Sequence, residues 1–253
     1  MYTSEVATEL KGVMIKHSNI IAMLGSCTEH FEISPSDSWT LFHSHCVDFS
    51  VWEIFGCLLS GGKLVIVDDQ EVQKPTSYIR LMNENEVNLF SQTPAEFYHF
   101  VQANLEVPSL RYVVLGDEPL NNSKIQDWYR AHPQVALISM YGATETTVHN
   151  TFKIITDETL KSDLRNLGKP LSFNTCYVLN KNQELVPYGE LGELYIAGKG
   201  VAHGYLNNPE IDAKLFVKDP FSGEGQMYRT GDLVRYLPNG ELEYLGKVKE
   251  QSD

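Results

Sequence analysis

The sequence predicts a layered α/β sheet followed by a β-rich part, on two observations. Through the first two thirds, short apolar runs alternate with segments of helical spacing, and continuous apolar strands between helices belong to a sheet covered on both faces. After about residue 172 the pattern changes to period two, the signature of strands in a small barrel or sheet.

Taken in order, "SVWEIFGCLLSG" sets Val51, Ile54, Phe55, Leu58 and Leu59 at helical spacing and stops at Gly61-Gly62. "KLVIVD" (63–68) is the next apolar strand, followed by a helix in "TSYIRLMNEN" and the strand "VNLFS" (87–91). A helix opens at Pro94, where proline suits the first turn. "LRYVVLG" (110–116), "SKIQDWYRAH" and "QVALISM" continue the alternation. Beyond residue 172, "TCYVLN", "GELYIAG" and "DLVRYLPNGELEYLGK" alternate in period two, with a hairpin turn at Asn239-Gly240. In such sheets ligands bind beyond the carboxyl ends of strands. "SQTPAEF", "LGDEPL", "MYGATETT" and the loop before the β-rich part all sit there.

Composition narrows the class. Hydrophobic residues at 42% and charged ones at 21% of the 253 describe a globular protein. The 33 acidic against 20 basic side chains give a formal charge of −13, which argues against non-specific binding to nucleic acid or to an anionic membrane. A small phosphate ligand is compatible, because a few amides and one or two cations build a local anion site. No run of 18 apolar residues is present and "MYTSEVATELKGVMIK" holds no apolar signal core, so neither a membrane span nor secretion is expected. Cys27, Cys46, Cys57 and Cys176 show no CxxC spacing and suit reduced thiols in the cytoplasm.

The stretch "LISMYGATETTVHNTF" (137–152) carries the most chemistry. Gly142 turns the chain after an apolar strand. Thr144 and Glu145 are suited to a phosphate oxygen and a metal, and Tyr141 offers a flat face to a base; by itself, however, the segment reads first as a polar loop capping a strand.

"YGATETT" (141–147) together with "YRTGDL" (228–233), "HSHCVDFSVWEI" (43–54) and "GELYIAGKGVAHGYL" (192–206) occur in an order and spacing that resemble one family. The chain resembles the amino-acid-activating adenylation domains of nonribosomal peptide synthetases, in the adenylate-forming (AMP-binding) superfamily. The resemblance implies residues 1–172 as the α/β part of the large subdomain and 173–253 as its β-rich, distorted-barrel part. It implies ATP with Mg2+ as cofactors, an amino acid as substrate, and a carrier-protein phosphopantetheine thiol within neighbouring synthetase domains as partner. Tyr141 would pack on the adenine, Thr144 would bind phosphate, Glu145 would ligate magnesium, and Asp232 would accept hydrogen bonds from the ribose hydroxyls. Ser4, Lys11 and Gly142 join this nucleotide set. So do Gly116, Asp117 and Glu118 of "LGDEPL", where the family has Gly-Gly-Glu-Ala-Leu.

Asp48 would bind the substrate α-ammonium, although its place before the helix also suits an N-cap. Phe49, Trp52, Ser91 and Val114 would surround the substrate side chain with Gly116, Met140, Val148 and His149. Apolar Val114 and Val148 beside polar Ser91 and His149 resemble pockets used for threonine.

The chain also departs from the family. The phosphate loop matches "TSEVATELKG" (3–12) but carries Glu5 and Thr8 for glycines and Leu10 for proline, so a weak hold on pyrophosphate is expected. His203 stands for an arginine, Ala143 for a proline and Lys249 for the hinge aspartate. The resemblance further implies that half of the large subdomain and the lysine-bearing small subdomain lie outside these residues, leaving this chain alone incompetent and prone to aggregate. A degenerate, non-catalytic module is the alternative from another class. An acyl- or aryl-CoA ligase is the alternative within the superfamily, opposed by Asp48.

Overall fold

The computed structural model describes residues 1–3, 11–68, 71, 74–162, 164–223 and 225–248. Ser4, Glu5, Thr8, Leu10 and Lys249 lie outside the described residues. The chain forms two compact units, one of Thr28–Met140 and Ile154–Asp163, the other of Met1–Cys27, Tyr141–Lys153 and Leu164–Asp253. Antiparallel pairing begins before the change of period at 172/173, with Thr151 opposite Pro170 and Phe152 opposite Lys169. Contacts also group residues 1–27 and 141–153 with the antiparallel strands.

The unit containing Thr28–Met140 is built on a parallel sheet. Its strands are Lys63–Ile66, Ser38–Leu41, Leu89–Gln92, Tyr112–Leu115 and Ala136–Tyr141, in that spatial order. In chain order this is 2-1-3-4-5, a doubly wound arrangement whose switch point falls between Ser38–Leu41 and Leu89–Gln92. Helices Phe49–Leu59, Pro75–Glu84, Pro94–Gln102 and Gln126–Ala131 connect the strands. Every residue of Leu89–Gln92 is buried, as a central strand covered on both faces requires. Lys63–Ile66 reads the same way in sequence, yet it is the edge strand and Ile66 is 71% exposed. Period alone does not separate edge from centre. Phe90, Phe97, Phe100 and Trp128 form the aromatic centre of the core. The Pro94 helix is anchored by a capping box: Thr93 Oγ1 accepts from Glu96 N–H at 3.3 Å and Glu96 Oε2 accepts from Thr93 N–H at 2.9 Å.

The other unit is antiparallel, with strands Asn174–Leu179, Gly192–Gly198, Gln226–Tyr236, Leu242–Lys247 and Asn166–Pro170 neighbouring in that order. The Gln226–Tyr236 and Leu242–Lys247 hairpin closes with Leu237 N–H on Glu241 O at 2.8 Å. Gly240 supplies the left-handed corner at φ 81°. Cys176, Val178, Leu194, Ile196, Val234 and Leu242 pack as the apolar centre. The N-terminal segment joins this unit through backbone bonds, Leu206 N–H to Gly12 O at 2.7 Å and Met14 N–H to Gly204 O at 2.9 Å.

Candidate active site

In the antiparallel unit the motif loop turns at Gly142, where a Cβ would lie 1.8 Å from Val148 O. Only glycine allows that approach. A 3-10 turn follows over Thr144–Thr146, then Thr147 and Val148 both adopt left-handed backbone, at φ 64° and 65°. For β-branched residues this is rare and strained, by about 1–3 kcal/mol each, and such strain concentrates at functional sites. The surrounding network holds it. Asn150 N–H donates to Tyr141 O at 2.7 Å, Asn150 Nδ2 to Thr146 O at 2.8 Å, and Thr146 Oγ1 to Asn150 Oδ1 at 2.5 Å. Thr147 Oγ1 donates to Gly200 O at 2.6 Å.

The two signature segments meet in this unit. Tyr141 Oη donates to Asp232 Oδ2 at 2.5 Å, and the Lys247 ammonium lies 2.8 Å from Asp232 Oδ1. Asp232 and Lys247 are register partners in the hairpin, which explains the ion pair. Burial, then the Asp232 charge, pushes the Tyr141 phenol well above its ordinary value, so it remains a donor. Glu145 is fully buried and accepts from Tyr205 Oη at 2.5 Å. Burial, with Glu145 beside it, likewise pushes Tyr205 up. Lys11 sits over the Tyr205 ring, Nζ at 5.6 Å from its centroid. That ammonium is buried and has no hydrogen-bond partner among the described residues. Thr144 is buried in the same loop. Val148 and His149 are also buried in this unit.

In the parallel unit, Asp48 stands at the N-cap position of Phe49–Leu59, but its side chain makes no capping hydrogen bond. Ser50 Oγ instead donates to Val47 O at 2.7 Å. Phe49, Trp52, Ser91 and Val114 are buried with Met140. Ser91 and Val114 are register partners on adjacent strands. Ser91 Oγ is buried with no hydrogen-bond partner among the described residues. A Cβ on Gly116 would lie 2.7 Å from Phe49 Cζ and 2.9 Å from Met140 O, so the missing side chain keeps those three together. Asp117 keeps φ 68°, the conformation for which glycine is the usual choice and which aspartate tolerates. Glu118 Oε2 accepts from Ala95 N–H at 3.3 Å.

Sequence reasoning missed Tyr205, Asn150, Lys247 and the His43–Glu53 pair. Counting hairpin register from Gly240 does not recover the Asp232–Lys247 pair, because an irregularity between Leu233 and Val234 shifts the register by one and simple counting sets Asp232 against Gly246. Tyr205 gave no signal beyond standing in a motif segment.

Adenylate-forming ligases are the class this fold and these motif segments define. The AMP-binding enzyme family matches residues 1–206, and the chain belongs to that family. It is 43% identical over 254 residues to a plipastatin synthase component of Bacillus subtilis (strain 168), covering 99% of this chain and 10% of that protein. It is 42% identical over 262 residues to a dimodular nonribosomal peptide synthase of the same strain, again 99% of this chain and 11% of that protein. Syringomycin synthase SyrB1 of Pseudomonas syringae pv. syringae is 40% identical over 257 residues, covering 99% and 42%. The chain thus spans less than half the length of each.

The residues present fit the phosphate charge of a nucleoside triphosphate. Lys11 Nζ, buried and without a hydrogen-bond partner among the described residues, is what an anion would satisfy. No cluster of three His, Cys, Asp or Glu that could hold a metal occurs among the described residues. A magnesium ion characteristically takes one or two carboxylates and completes its shell with phosphate and water.

Proposed function

We propose that this chain is the adenylation part of a larger synthetase, activating an amino acid with ATP and Mg2+ and loading the phosphopantetheine thiol of a carrier-protein domain. The observation that carries the reading is the Tyr141–Asp232 hydrogen bond at 2.5 Å, which ties the adenine-side motif to the ribose-side motif. An amino acid carboxylate oxygen forms a bond to the α-phosphorus, and the bond from that phosphorus to the bridging oxygen breaks, releasing pyrophosphate. Little covalent help is needed, so positioning and charge neutralisation supply the rate. Lys11 and Thr144 bind phosphate oxygens. Glu145 would ligate magnesium, which when bound would neutralise phosphate charge. Asp232 binds the ribose hydroxyls with the lone pairs left by Tyr141 and Lys247. Asp48 holds the α-ammonium. The cytoplasm, where ATP and reduced thiols coexist, is the compartment this chemistry suits.

Threonine is the substrate favoured. Ser91 Oγ is a buried hydroxyl without a hydrogen-bond partner among the described residues, beside Val114 as an apolar wall. A β-hydroxyl next to a methyl answers both. A hydrogen-bonding pocket rejects the analogue lacking the hydroxyl by up to ~10⁴-fold, whereas apolar fit discriminates only about 10–200-fold.

The test is amino-acid-dependent ATP–pyrophosphate exchange by the full gene product that carries this sequence. Threonine should exceed valine strongly and serine modestly, with 2-aminobutyrate as a further control. Valine turning over as well as threonine sinks the substrate, and no exchange with any amino acid sinks the activity. Glu145→Gln should lower kcat more than ATP affinity, while Asp232→Ala should chiefly raise the KM for ATP. Identical effects of the two would overturn the separate roles.

A further inference from the structure

The parallel unit buries one pair of titratable groups to which the proposed chemistry gives no role. Glu53 lies four residues after Phe49 on the same helix and is fully buried. Both of its oxygens contact His43: Oε1 is 3.0 Å from Nδ1, and Oε2 accepts from the His43 backbone N–H at 3.1 Å. The imidazole in turn stacks on the Phe49 ring, with centroids 4.7 Å apart and planes 16° apart. Phe49 Cζ occupies the space that a Cβ on Gly116 would need. One contiguous stack therefore runs from Glu53 through His43 and Phe49 to Gly116.

The stack stands at the switch point of the sheet. His43 follows the carboxyl end of Ser38–Leu41 by two residues, and Glu96 follows Leu89–Gln92 in the first turn of its helix. His43 Nε2 is buried, has no hydrogen-bond partner among the described residues, and faces Glu96 Oε2 at 3.8 Å. Crevices at such points are where doubly wound sheets bind ligands. Stability is a poor reason to place the pair here. A buried ion pair contributes about as much as apolar residues of its size, and often less. What it supplies is a fixed orientation.

We propose that Glu53 and His43 are positioning residues for Phe49. Glu53 fixes the imidazole by two contacts, and the imidazole face sets the plane of the Phe49 ring against Gly116. That fixes one wall of the pocket for the amino acid side chain. The inference rests on Phe49 and Gly116 lining that pocket.

Charge sharpens the device. Burial by itself would lower the His43 pKa, but the Glu53 hydrogen bond and charge, with Glu96 and Asp117 also acting on the ring, carry it above its ordinary value. Burial raises Glu53. A raised histidine pKa means that the protonated, tightly held imidazole persists below that pKa. As pH rises through it, the attraction to Glu53 and to the Phe49 face weakens.

The experiment labels phenylalanine with fluorine in the full gene product, the Phe49 resonance being assigned by its loss in Phe49→Leu. A single narrow Phe49 resonance is expected in the unmodified protein. It should shift and broaden in Glu53→Gln, which keeps the shape and removes the charge. The same is expected in His43→Leu/Glu53→Leu, which leaves no unpaired buried charge and so protects folding. In exchange assays the double variant should raise the KM for the amino acid about 10-fold while the KM for ATP stays within about twofold. Glu53→Gln should move the alkaline limb of the amino acid KM profile about one pH unit lower. A Phe49 resonance unchanged in both variants overturns the proposal, whatever the kinetics. A shifted resonance in a protein showing no amino-acid-dependent exchange upholds the positioning of Phe49 and sinks the functional reading of the pocket.

Discussion

The loop around residues 141–150 and the packing around Gly116 hold their candidate site residues by different means. Around residues 141–150 the polar groups answer one another: Thr146 with Asn150, Thr147 with Gly200, Tyr141 with Asp232, Glu145 with Tyr205. Around Gly116 the arrangement is made by packing. Phe49 and Met140 close on the glycine, and Trp52 packs on Trp39 and Phe31 at 5.1 and 5.3 Å. Ser91 Oγ and Gln92 Oε1 have no hydrogen-bond partner among the described residues. A network of directional bonds admits few residue types at each position, because a buried group left unpaired costs about 1–3 kcal/mol. Packing admits any set of side chains with the right volume. The first kind of construction suits a reactant common to all substrates, and the second suits a side chain that varies.

Glycine substitutions test this contrast with the largest expected effect. In Gly142→Ala the new Cβ meets Val148 O at 1.8 Å and Val148 C at 2.7 Å, both backbone atoms of a loop already held in left-handed conformation. The loop must be rebuilt, at about 3 kcal/mol or more. In Gly116→Ala the new Cβ meets the end of the Phe49 ring at 2.7 Å and the Met140 backbone oxygen at 2.9 Å, a milder overlap than at Gly142, so about 2 kcal/mol is expected. Urea midpoints would measure both. Gly142→Ala should abolish exchange with every amino acid, whereas Gly116→Ala should shift preference towards smaller ones. Equal destabilisation and equal loss of activity would break the comparison.

The same contrast explains what the sequence made legible. Thr144, Glu145 and Asp232 stood out because directional chemistry restricts residue type, and Asp232 also stands on a strand of the period-two region. Asn150 and Tyr205 complete those bonds, but Tyr205 joins Glu145 across sixty positions, a distance no periodicity spans. Phe49, Trp52 and Val114 look like any core residues, and only family order singled them out. Asp48 shows the limit from the other side. Its position predicted a cap, and the structure gives the position without the capping bond. His43 and Glu53 flank an apolar helix start ten residues apart, a pattern that local reading assigns to solvent.

A smaller effect comes from acid, because the antiparallel unit depends on charge. Burial opposes ionisation of Glu241, but hydrogen bonds from Lys153, Asn166 and Asn239 outweigh it and hold the carboxyl below its ordinary 4.5. Lys153 Nζ and Asn166 Nδ2 each lie 2.6 Å from a carboxylate oxygen. A lowered carboxyl pKa adds stability above its ordinary value and loses it as pH falls through the folded value. Glu241→Gln should therefore cost about 1–2 kcal/mol at pH 7. The gap should shrink below pH 4.5. Parallel denaturation curves for the two proteins that keep a constant gap from pH 7 to pH 3 would show that the charge contributes nothing.

The smallest effect sharpens the comparison most, because Asp117 adjoins the packing around Gly116 yet obeys a backbone rule. Its φ of 68° is a conformation in which most residues bring Cβ against a carbonyl oxygen, at roughly 1–2 kcal/mol. Aspartate and asparagine relieve part of that cost by local hydrogen bonding, and glycine has no Cβ to clash. Asp117→Asn should then fall within about 0.5 kcal/mol of the parent, while Asp117→Ala should be about 1 kcal/mol less stable. Asp117→Gly separates backbone from charge, since it keeps the conformation while removing one of the charges that raise His43. It should match Asp117→Asn in stability and, like it, bring the alkaline limb of the amino acid KM profile slightly lower. Alanine as stable as asparagine at this position would mean that the left-handed backbone imposes no constraint, and that the aspartate is retained for its charge alone.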